Sequence, residues 1–166
     1  MTKDILLSIT GIQSENLRDG IQENDGQDAV EVVAPADYFY KNGKHYFIYE
    51  ENTQRDKKAG KSRIKITDGR IVEIMKNGDM KGHLFFEKDK RTVTCYDTPF
   101  GRLVFGVWTT GLDIDIKEDE IFVDICYTME VGNRPVADCN VKIHACSKGE
   151  KAENMVRNMM KAQKIV

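Results

Sequence analysis

The side chains of this chain that could carry chemistry are few and thinly spread. Four cysteines, Cys95, Cys126, Cys139 and Cys146, fall without a Cys-x-x-Cys spacing. Zinc sites announce themselves by close pairs of ligands. His144 and Cys146 stand two apart on an alternating segment, hence on one face, and Cys126 is the nearest candidate for a third ligand. A His-x-Cys pair is weak beside true zinc spacings, and free cysteine is a common buried residue, so the pair reads as structural. Carboxylates are scarcely more promising. Glu50 and Glu51 close one segment, and Asp113 and Asp115 share a face whose neighbours are apolar. General acid work needs burial or a close like charge, and the pattern supplies neither. There is no Gly-x-Ser-x-Gly elbow, phosphate loop or His-Glu-x-x-His. The reading leans away from an enzyme, and no motif calls for a cofactor or a metal.

One aromatic stretch is more ambiguous. Tyr38, Phe39 and Tyr40 precede Tyr46, Phe47 and Tyr49, and a basic run follows, with Arg55, Lys57, Lys58, Lys61, Arg63 and Lys65 against Asp56. Cations beside aromatics on a sheet are the ingredients of a single-strand nucleic-acid surface. The net charge of −2 argues against binding by the whole surface, so the run reads as a solvated loop and nucleic acid is not expected as a partner. An acidic run, residues 113–120, balances it.

The elements that must position these residues are short alternating strands. Asn42-Gly43 and Asp68-Gly69 sit between apolar runs, and such pairs mark tight hairpins because both residues tolerate positive φ. Further turns are read at 76–79, 87–90, 97–101, 118–119 and 132–135. From Ile121 to Glu130 the odd positions are apolar while Asp124, Thr128 and Glu130 point away, and 112–116 and 141–145 alternate likewise. A period of two over so many segments means sheets with one dry face. The expected fold is all-β, a closed antiparallel meander barrel followed by an α-helix. Residues 1–148 form the barrel and 149–166 a helical extension, in which Ala152, Met155, Val156, Met159 and Met160 recur at three and four residue spacing. Residues 14–28 and 52–62 read as surface loops. The 166 residues, 40% hydrophobic and 31% charged, suit one soluble domain. The apolar runs are strand-sized, so no membrane span is expected. With no export signal read and the thiols unpaired, a reducing cytoplasm is the expected setting.

These strands resemble the DUF1934 family. The likeness rests on the turn Thr98-Pro99-Phe100-Gly101 with Leu103, on Thr109 and the strand 112–116, on Tyr49-x-Glu51, on Ile64-Lys65-Ile66, on Lys76-x-Gly78, and on Tyr127-x-Met129-x-Val131 ahead of Asn140. It spans residues 5–146. The resemblance implies a calycin-like, lipocalin-shaped β-barrel without an established activity, and it picks out Tyr49, Glu51, Lys65 and Lys76 as polar positions. Arginine is common in the family where this chain has Lys76, which weakens a bidentate role there. On three successive strands, Glu51, Lys65 and Lys76 are expected to meet as cross-strand charge pairs, or else to border a ligand.

Two functions from different classes follow. In one, the barrel holds a small apolar molecule, with Leu103, Phe105, Val107, Ile121, Val123, Ile125, Tyr127, Val141 and Ile143 facing inward, and Tyr49, Glu51, Lys65, Lys76, Phe105 and Tyr127 as candidate ligand contacts. In the other, the barrel is a filled scaffold, and the Met-rich helix with the aromatic hairpin makes protein contacts, a homodimer through the helix among them.

Overall fold

The computed structural model describes residues 1–15, 27–50, 60–78, 80–149 and 152–158. Ten strands follow one another, β1 (Asp4–Glu15), β2 (Gln27–Lys41), β3 (Lys44–Glu50), β4 (Lys61–Thr67), β5 (Ile71–Asn77), β6 (Lys81–Glu87), β7 (Arg91–Thr98), β8 (Gly101–Ile116), β9 (Glu120–Val131) and β10 (Arg134–Ser147). Each pairs antiparallel with the next, and β1 pairs with β10 from Ile5 opposite Ser147 to Glu15 opposite Ala137. The expected closed meander is therefore what forms, with no border strand left over at the seam of first and last.

Turn chemistry sets the hairpins. Asn42 and Gly43 have φ of 54° and 75°, and Asp68 and Gly69 have 53° and 62°, the left-handed pairs that match strand twist. These turns and the 88–90 turn lie at one end of the barrel. The turns at 99–100 and 132–133 lie at the other.

Alternation places the core. Ile5, Leu7, Phe47, Ile64, Ile66, Val72, Phe86, Ile121, Ile125 and Ile143 all face inward with essentially no exposure. Side chains thus fill the barrel over most of its length, and each buried aliphatic or aromatic group contributes about 1.5–3 kcal/mol. Their outward neighbours, such as Lys65, Glu73 and Asp113, keep contact with water.

Besides a bulge between Pro135 and Ala137 of β10, two features depart from a uniform meander. The strand read at 112–116 is the far part of a longer one, β8. A bulge at Thr109–Gly111 shifts its phase, so that Phe105, Val107 and Thr109 face inward before it, and Leu112 and Ile114 after it. The second is a thin seam. Between β6 and β7 the register is limited to Lys81 opposite Asp97 and Gly82 opposite Tyr96. Above it, side chains stand in for the backbone ladder: Thr92 Oγ1 donates to the Phe85 carbonyl at 3.3 Å, and Thr94 Oγ1 to the His83 carbonyl at 3.2 Å.

Residues 152–158 are helical. Ala152 is buried and Val156 borders a groove with Leu6 of β1, an outward-facing residue opposite Cys146. Met159 and Met160 lie outside the described residues, as do 16–26 and 51–59. None of the described helical residues forms a stretch long and apolar enough to cross a membrane.

Candidate functional site

The same inward register that is dry in the middle of the barrel opens to solvent at the end carrying the 99–100 and 132–133 turns. There Val30 is 62% exposed, Leu103 55% and Val131 50%, although all three stand on the interior face. Phe105, Tyr127 and Val141 lie below them, half-buried against the core. Among the described residues the barrel is filled by side chains along its middle, and at its other end Tyr40 and Ile116 of the interior face also meet solvent.

The wall under the rim carries the polar residues. Tyr49 of β3 is buried and faces inward, opposite Ala36 and Ser62. The Ser62 hydroxyl accepts from the Asn77 amide at 3.2 Å, which ties β4 to the end of β5. Lys76 continues the inward row of β5 after Val72 and Ile74, and its cross-strand partner is Gly82. Gly82 has no room for a side chain, because the Tyr96 ring lies over it. Tyr96 in turn meets Phe105 edge-on, with ring centroids 5.2 Å apart. Tyr127 leans on Phe86 at 5.0 Å and stands opposite Cys139 on one side and Thr109 on the other.

Burial pushes the Tyr127 phenol far above its usual range, and it also raises the Cys139 thiol. Both stay protonated at neutral pH, so they can share hydrogen bonds but not act as bases. Thr109 is buried and its Oγ1 has no hydrogen-bond partner among the described residues. A buried unpaired hydroxyl costs roughly 1–3 kcal/mol.

Of the six candidates read from the chain, four face the barrel interior, on β3, β5, β8 and β9: Tyr49, Lys76, Phe105 and Tyr127. Lys65 does not join them. It lies on the outer face between Ile64 and Ile66, its ammonium 3.7 Å from Glu73 and 5.9 Å from the Tyr46 ring centre. The expected meeting of Lys65 with Lys76 fails because the two point to opposite sides of the sheet. Glu51 lies outside the described residues. Tyr96, Ser62 and Gly82 were missed. A lone glycine in the strand 81–87 was the available signal, since it marks a close approach.

The chemical pairs considered first stay apart from the barrel interior. His144 stacks on Phe122 at 4.2 Å on the outer wall, with Glu120 3.5 Å away. Asp113 faces out and stands directly opposite Asp124. Among the described residues no three His, Cys, Asp or Glu side chains are grouped to hold a metal ion.

The family described as "Domain of unknown function (DUF1934)" matches residues 16–143. Comparison with curated proteins found no match. Among solved structures, the chain is similar to the one titled "Crystal structure of ywiB protein from Bacillus subtilis", with 23% identity, a TM-score of 0.70, and coverage of 89% of this chain and 93% of that one. At that identity the likeness carries the fold.

Proposed function

The chain belongs to the DUF1934 family, and we propose that its barrel is a non-catalytic carrier or sensor that takes a small, mainly apolar molecule at the end carrying the 99–100 and 132–133 turns. One observation carries this reading. Interior-facing apolar residues meet water at this rim, Val30, Leu103 and Val131 above all, with Tyr40 and Ile116 their counterparts at the other end. In this reading the guest sits above Phe105 and Tyr127, against the apolar residues that meet water there. The aromatic wall of Tyr96, Phe105 and Tyr127 favours a flat or ring-bearing guest. Tyr127 and Lys76 favour a guest with one hydrogen-bonding or acidic group. Four free thiols, with Cys95 and Cys126 exposed, support work in a reducing compartment.

The test is saturable binding of the fluorescent probe 1-anilinonaphthalene-8-sulfonate to the purified, folded protein. The expected result is enhanced emission at one site per chain, lost in Phe105→Asp and retained when Asp113 on the outer wall is changed to Asn. Emission that rises without saturation, or equally in both variants, would overturn the reading. Native mass spectrometry of untreated protein should in addition show a bound small molecule removed by solvent extraction.

A further inference from the structure

The outer wall of the barrel is electrically divided. Where β2, β3 and β4 pair with one another, the outward charged residues are Lys41, Lys44, Lys61, Arg63 and Lys65, against Asp37 and Glu50. Across the barrel, on β8, β9 and β10, the outward face carries Asp113, Asp115, Glu120, Asp124, Glu130 and Asp138, against Arg102 and Lys142. The net charge of the chain conceals this separation.

Within the basic wall, Phe39 and Tyr46 are directly opposite and stacked, with centroids 4.8 Å apart and planes 14° from parallel. Phe39 is 41% exposed. Beside them Lys41 stands directly opposite Lys44, a like-charge pair that destabilises a hairpin. No ion pair among the described residues involves Lys41, Lys44, Lys61 or Arg63. Cations without an ion pair among the described residues, flanking an exposed ring stack, suit a polyanion with aromatic faces of its own.

We infer that the outer wall of β2–β4 binds single-stranded nucleic acid, with Lys41, Lys44 and Arg63 meeting phosphates and Phe39 stacking on a base. This surface is separate from the barrel interior and does not depend on what the interior holds. Charge complementarity alone would equally admit the acidic wall of a second copy; the exposed Phe39–Tyr46 stack favours bases.

The probe is a fluorescein-labelled, mixed-sequence single-stranded RNA, with the same DNA sequence alongside, followed by anisotropy at low and at physiological salt. Binding is expected to weaken as salt rises, and the double reversal Lys41→Glu with Lys44→Glu is expected to weaken it by about tenfold or more, since each phosphate contact is an ionic one. That pair of changes keeps like charges opposite, so the hairpin's own balance is preserved. Phe39→Ala should cost roughly five- to a hundredfold at constant salt, the range for losing one stacked base. Asp113→Asn should not weaken binding. No anisotropy change at low salt, or equal binding by the reversal variant, would overturn the inference. So would sedimentation showing self-association that the Lys reversal abolishes while RNA fails to bind, which would give the wall to a second copy.

Discussion

Gly82 shows how one missing side chain shapes the candidate site. A Cβ there would overlap the Tyr96 ring, so the glycine is what lets that ring lie flat on the wall beside Lys76. Gly82→Ala should therefore destabilise the protein by about 1–3 kcal/mol, as overpacking does, and the loss should shrink sharply when Tyr96→Ala is added. Chemical denaturation of the two single variants and the double variant checks this coupling; additive losses would refute it. His45 offers a second test at the same scale. It faces inward at the opposite end, bonded through Nδ1 to the Tyr38 hydroxyl at 2.7 Å and packed against Tyr40. Burial lowers its pKa from the ordinary 6.5. The folded state thus binds this proton less readily than the unfolded one. The stability tied to neutral His45 is full above pH 6.5 and is lost as pH falls toward the lowered folded value. Unfolding free energies at pH 8 and pH 5 should differ more in the wild type than in His45→Gln.

The strands carry the next level of argument, and the β6–β7 contact is the informative one. Its ladder is short, and Thr92 and Thr94 hydroxyls complete it. Thr94→Val keeps the shape but leaves the His83 carbonyl without its donor, at a cost of about 1–3 kcal/mol. Hydrogen exchange should show β6 and β7 amides opening faster in this variant while β9 and β10 hold, because their ladder is long. Uniform acceleration across the barrel would contradict a local seam. Much of the strand pattern was legible in the residues: Asn42-Gly43 and Asp68-Gly69 announced their hairpins, and the odd positions of β9 announced its inner face. The same alternation contained the placement of Lys65 and Lys76, since Ile64 and Ile66 put Lys65 outside whereas Val72 and Ile74 put Lys76 inside. Only the pairing of the strands makes that arithmetic decisive. The β8 bulge was hidden, because Thr109-Thr110-Gly111 has no composition that distinguishes a phase shift from a loop. The Thr94 and Tyr96 roles were hidden too, since they depend on β6 lying alongside.

As a whole, the molecule combines a filled middle with an open rim and a divided outer charge. That combination explains why composition alone is uninformative: an ordinary hydrophobic fraction and a small net charge average over a dry core, a wet apolar mouth and two walls of opposite sign. The closure of β1 against β10 also has a consequence for the making of the protein. During synthesis β1 can first find only β2 beside it, while its other flank must wait for β10. Nearly the entire chain forms the loop that this last pairing closes, and so distant a contact is gained late and slowly. Until then, Ile5 and Leu7 have no complete shelter. The nascent chain is therefore most in need of a chaperone before β10 emerges.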